Sequence, residues 1–150
     1  MKVTVSQGKN FMLSLRRQNS FGIQDGIFVK NKKMAFEKNV KLLNIRMGIE
    51  LYLKSESFLE IENPLNELNS KIEELLQGIC KEKGIERDGL LISDVADNEQ
   101  YIELNEQANQ LEKQIGDLEI PFEVEQIDSS LLNDLEVDEF EALSLIPFVK

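Results

Sequence analysis

Residues 33–84 read KMAFEKNVKLLNIRMGIELYLKSESFLEIENPLNELNSKIEELLQGICKEKG, and the spacing of their apolar positions decides the fold class. Phe36, Val40, Leu43, Met47 and Leu51 follow one another at steps of four, three, four and four residues. Residues three and four apart overlie one another on an α-helix. These five therefore predict one apolar stripe facing a core, widened by Ile45, Ile49 and Tyr52, with Lys38, Lys41, Arg46 and Glu50 beside or opposite it. Leu65, Leu68, Ile72, Leu75 and Ile79 repeat the pattern between Glu67, Lys71, Glu74, Lys81 and Glu82. Asn63 and Pro64 suit an N-cap and a first helical position, where proline's missing amide costs nothing. A start near Ser57 would instead place Pro64 inside the helix as a kink or break. Gly84 suits the stop, and Lys81 and Lys83 complement the carbonyl end. The whole stretch predicts an antiparallel helical hairpin.

Upstream, Val3 and Val5 alternate with Lys2 and Thr4, and Phe11 to Leu15 follow Gln7-Gly8, a pattern of two short strands in a hairpin. A short helix over 10–18 is the alternative. Asn19, Ser20 and Gly22, then Asp25-Gly26, read as turns, and Ile27-Phe28-Val29 as a third extended piece. Downstream, residues 84–97 form a Gly- and Asp-rich connection containing Leu90-Leu91-Ile92. Asp97 and Gln100 have capping-box spacing and open a third helix with Tyr101, Leu104, Ala108, Leu111 and Ile115 on one face. Ile120, Phe122 and Val124 alternate with Pro121, Glu123 and Glu125 as a strand would. Ser130 and Asp138 can cap two short helices, with Glu141 at the capping-box position of the second and Pro147 limiting its run.

The expected class is mainly α with minor β: an antiparallel helical hairpin plus a third amphipathic helix, with small β elements near the N-terminus and after helix three. Residues 1–150 are expected to form a single domain. Within it, 1–32 form an extended or hairpin part, 33–84 the helical hairpin, and 97–150 an acidic part of helix, strand and short helices.

Composition sets outer limits. The chain has 150 residues, 41% of them hydrophobic, with eight Phe and no Trp, enough for one folded domain. A lone cysteine, Cys80, excludes an intramolecular disulfide. The lack of histidine excludes Ser-His-Asp triads, Cys-His pairs and the usual histidine ligand sets for zinc or iron. MKVTVSQGKNF shows no signal-peptide core and no stretch approaches a membrane span, so a cytoplasmic location is expected. The 17 basic and 28 acidic residues give −11, which opposes non-specific binding to nucleic acid or anionic membranes. That charge is graded: residues 1–54 total +8, 55–96 total −6 and 97–150 total −13. The two ends are expected mainly to neutralise one another within the fold.

No motif nominates a reaction, and neither an enzyme nor a cofactor is expected. Asp94, Asp97, Glu99 and Glu103 supply oxygens, but lack the ligand spacing and central glycine of a calcium loop. Acidic pairs along the helices match a solvated face better than a glycosidase's flanking carboxylates. Arg16-Arg17 and Lys30-Lys32-Lys33 lie near Phe11, Phe28 and Phe36, yet form no nucleic-acid recognition motif. Ser6-Gln7-Gly8-Lys9 falls short of a phosphate loop. Cys80 beside Ile79, and Tyr101 on the third stripe, read as packing residues.

From Ala35 through Ile146 the chain resembles a family of short acidic bacteriophage and prophage proteins of unknown function. The resemblance is carried most by DNEQYIELNEQANQLEKQIGDLEIPFEVEQID (residues 97–128) and SSLLNDLEVDEFEALSLI (residues 129–146). It implies a non-enzymatic accessory or morphogenesis protein acting through protein contacts, and transfers no catalytic residue; the three-four spacing of the stripes separately suits coiled-coil-like packing on a partner or a second copy of the chain. The alternative it raises is an acidic DNA mimic that inhibits a host defence or nucleic-acid-processing protein. Glu119, Glu123, Glu125, Asp128, Asp134, Glu136, Asp138, Glu139 and Glu141 would form that surface.

Overall fold

The computed structural model describes residues 2–18, 24–34 and 36–150. These are mainly helical, with almost no strand. In chain order the α-helices are α1 (Val5–Leu15), α2 (Ile27–Lys30), α3 (Phe36–Leu53), α4 (Glu56–Lys83), α5 (Ile92–Val95), α6 (Glu99–Gly116) and α7 (Glu139–Leu145), with 3-10 turns at Arg87–Gly89, Ser129–Leu132 and Ile146–Phe148. Two compact units result, one from Met1–Ser55 with Gly116–Lys150 and one from Glu56–Ile115. The grouping of 33–84 into one hairpin part differs from this division, because α3 belongs to the first unit and α4 to the second.

In the first unit the expected N-terminal strands are not formed. Thr4 Oγ1 accepts from the Gln7 amide at 3.1 Å and Gln7 Oε1 accepts from the Thr4 amide at 2.9 Å, a capping box that commits the following residues to α1. Val5, Gly8, Phe11 and Leu15 then fall on one buried face. Gly8 permits a close approach, since a Cβ there would lie 3.0 Å from Ile120 Cδ1 and 3.1 Å from Ile49 Cγ2. α1 packs against α2, α3 and α7.

Ile27-Phe28-Val29, expected as extended, lie in α2. The strand expected over 120–125 is also missing: Pro121 has no amide to give, and the isolated bridge next to it, Thr4 to Glu119, precedes the segment. The β structure among the described residues is otherwise a two-residue pairing of Arg17–Gln18 (β1) with Gln24–Asp25 (β2) and a bridge from Ile127 to Val149. The turn expected at Asn19, Ser20 and Gly22 lies outside the described residues.

α3 forms where expected but presents the opposite face. Leu42, Ile45 and Ile49 are buried, while Phe36, Leu43, Met47 and Leu51 are exposed. At 100° per residue the two sets point in nearly opposite directions, so this helix is apolar on two sides and only one meets the core of its unit.

In the second unit α4 begins at Glu56, which overturns the Asn63 cap and places Pro64 inside the helix. Its predicted stripe holds: Leu65, Leu68, Ile72 and Leu75 are half-buried and Ile79 is buried. Leu76, Ile79 and Val95 form a small core, against which Ile72, Leu75, Leu90 and Tyr101 pack. Arg87 closes this end through paired bonds to Glu73 at 3.0 and 3.3 Å. α6 is capped one residue later than expected, because Asn98 Oδ1, not Asp97, accepts from the Tyr101 amide at 2.9 Å. Pro64 deprives the Glu60 carbonyl of its helical donor, so Pro64→Ala is expected to stabilise the protein by about 2 kcal/mol. Thermal unfolding followed by circular dichroism checks this; an unchanged or lower Tm refutes it.

Candidate functional site

The acidic surface is built from loop 117–138 and the start of α7, and the structure divides its nine residues. Glu119, Glu123, Glu125, Asp128, Asp134, Glu136 and Glu139 are exposed, and Asp138 is half-buried. Glu141 is fully buried and leaves the set. Its Oε1 accepts from Lys30 Nζ at 2.6 Å and from the Asp138 amide at 2.9 Å, while its Oε2 is buried without a hydrogen-bond partner. Asp138 caps α7 through the Glu141 amide and lies 3.5 Å from Lys30 Nζ. Glu125 pairs with Lys41. Asp128 accepts from the amide and hydroxyl of Ser130, bonds that hold its carboxyl below the usual range, with Lys150 adding to the effect. Three of the nine thus pair with lysines from the basic end of the chain.

Counting charge by unit rather than by position in the chain changes its meaning. Residues 1–55 carry +8, and residues 116–150, with ten acids against Lys150, carry −9. They fold together, so the first unit is close to neutral. The second unit has fifteen acidic and five basic residues, and its −10 accounts for nearly the whole net charge. The acid-rich exterior therefore lies on Glu56–Ile115, a redistribution that only the folded arrangement reveals.

The remaining candidates are dispersed. Asp94 accepts from the Leu91 amide at 2.8 Å and from Lys83 at 3.1 Å, and these partners, in that order, lower its pKa. It does not converge with Asp97, Glu99 and Glu103: no group of three or more possible ligands is positioned to hold a metal ion among the described residues. Cys80 is buried, with Sγ 3.9 Å from the Glu86 carbonyl oxygen. Phe11 is core and Phe36 is exposed, while Phe28 lies under the Arg16 guanidinium at 5.6 Å and lines one small cavity with it and Lys32. No helix among the described residues is long and apolar enough to cross a membrane.

Sequence reasoning missed the most conspicuous feature, the outward stripe of α3. Phe36 is 83%, Met47 57% and Leu51 71% exposed, with Leu43 and half-buried Val40 completing the row. Asn39, Asn44, Arg46 and Glu50 border it. The available signal is a second apolar set: Ile45 and Ile49, read above as widening the first stripe, fall with Leu42 on the opposite face. In comparisons with family models, curated proteins and solved structures, this chain matches none of them.

Proposed function

We propose that this chain is a non-enzymatic protein that works by binding other proteins, a phage or prophage accessory or morphogenesis factor in the setting its sequence resemblance implies. The carrying observation is the outward apolar stripe of α3. Monomeric proteins seldom expose contiguous apolar rows, and covering each of these side chains would contribute about 1–2 kcal/mol. The four-three-four spacing suits a partner helix laid along the stripe.

A tagged chain is to be recovered from infected or lysogenic cells at low and moderate salt, alongside the double variant Met47→Gln, Leu51→Gln. Both positions are exposed, so the variant is expected to keep wild-type stability to within about 0.5 kcal/mol. Recovery of virion or assembly proteins, reduced about tenfold by the variant, supports the reading. Equal recovery with the variant overturns α3 as the contact.

The second reading, an acidic mimic that inhibits a host nucleic-acid-processing protein, is favoured by the −10 concentrated on the second unit. Attraction to a basic channel would weaken steeply with salt. A nucleic-acid-processing host protein, captured at low salt, lost at moderate salt and unaffected by the α3 variant, would put this reading first.

A further inference from the structure

Two cavities on the first unit share a wall at Leu135. One, of ≈ 470 Å³, is lined by Lys30, Lys32, Lys33 and Lys38 with Asp134 as its single carboxylate. The other, of ≈ 370 Å³, is lined by apolar side chains alone, among them Leu132, Val137, Leu145 and Ile146. The lysines are not equivalent. Lys30 is committed to buried Glu141, and Lys38 Nζ donates to the Asn133 carbonyl at 2.8 Å. Lys32 and Lys33 are exposed and have no hydrogen-bond or ion-pair partner among the described residues. With Asp134 and the Lys30–Glu141 pair offset, the cavity stays positive in a chain of net −11.

The shared wall is fixed before any ligand arrives. Asn31 Nδ2 donates to the Glu136 carbonyl at 2.9 Å, and Asn31 Oδ1 accepts from the Glu136 amide at 2.7 Å. With Lys38 on Asn133, these bonds pin the loop that separates a cationic compartment from an apolar one, which lowers the ordering cost of binding.

We propose that the paired cavities bind a peptide segment of a partner protein in which a bulky apolar side chain stands close to an Asp or Glu. The apolar side chain enters the compartment bounded by Leu132, Leu145 and Ile146, and the carboxylate meets Lys32 and Lys33. The lining selects a peptide over a fatty acid. An acyl-chain pocket encloses most of its ligand. Here Leu145 is the one buried residue of the seven in the lining and Ile146 is 62% exposed, as in a groove that accepts a side chain from outside. The site uses none of the outward residues of α3, so it stands or falls apart from that contact.

A displayed library of random dodecapeptides selected on the full chain tests this, followed by fluorescence polarisation with the best enriched peptide as probe and laurate as competitor. Enriched sequences are expected to place a bulky apolar residue within a few positions of an acid. The double variant Lys32→Glu, Lys33→Glu is expected to weaken the probe about tenfold or more, with Ile146→Asp weakening it separately. Amidation of the probe's acid should reproduce the loss caused by the lysine variant. All three substituted residues are exposed, and circular dichroism verifies their folding. Selection without an acid-apolar pattern, a probe indifferent to the lysine variant, or saturable laurate binding without peptide enrichment would each overturn the proposal.

Discussion

Replacing Phe148 by alanine is expected to destabilise the protein by about 4 kcal/mol, the range for deleting a buried aromatic ring. Phe148 is fully buried, with its ring centroid 4.4 Å from that of Phe11 in a tilted arrangement. Phe11 belongs to α1, which packs on α7, so the ring pair fastens the two chain segments of the first unit. The backbone holds the ring in place: the Ile127 amide donates to the Phe148 carbonyl at 2.6 Å, and the Lys150 amide to the Ile127 carbonyl at 3.0 Å. The surroundings cannot close around the void without breaking that bridge. Phe148→Leu, which refills most of the volume, should cost less than half as much, or about 1.5 kcal/mol. Urea unfolding followed by circular dichroism gives both values; a loss below about 1 kcal/mol for the alanine variant would show that the ring is not an anchor.

Gly26→Ala comes second, with an expected loss of about 3 kcal/mol. Gly26 precedes α2 at φ 118 and ψ 178, a conformation open in practice only to glycine. A Cβ there would lie 2.7 Å from the Leu15 carbonyl oxygen and 3.0 Å from Arg16 Cα. Those neighbours are backbone, so no rotamer change relieves the contact. Gly78→Ala is the matched control. Gly78 lies within α4 with nothing inside 4 Å of its prospective Cβ, and alanine there should add up to about 1 kcal/mol. Opposite signs for the same substitution would separate backbone strain from helix propensity; similar losses at both sites would refute the account.

The readable parts of the sequence were those whose information is local. The stripes of α4 and α6, the stop at Gly84, and the Asp138–Glu141 capping box each depend on residues a few positions apart, and each stands where it was read. α1 was legible too, in Thr4 and Gln7, but the Val3–Val5 alternation imitated a strand. α3 defeated periodicity for a different reason. It carries two apolar faces, and only the tertiary arrangement selects Leu42, Ile45 and Ile49 as the buried one. The candidate site was less legible still. Glu141 meets Lys30 across 111 residues, so no local pattern marks it as an interior acid among surface acids. Lys32 and Lys33 could be noticed as basic residues, whereas the apolar compartment beside them needs Leu132 through Val149 to fold around a pinned loop.

The division of the chain also imposes an order on its synthesis. Glu56–Ile115 is continuous, so the ribosome delivers every residue of that unit before Gly116–Lys150 exists. The other unit is interrupted: its first 55 residues emerge early, rich in lysine and arginine, and wait for Gly116–Lys150. Until Phe148 clears the exit tunnel, Phe11 lacks its aromatic neighbour and Lys30 lacks its buried carboxylate. The growing polypeptide thus passes through a stage in which its acidic portion is complete while its cationic portion stands uncovered, a transient polarity that the finished molecule no longer displays.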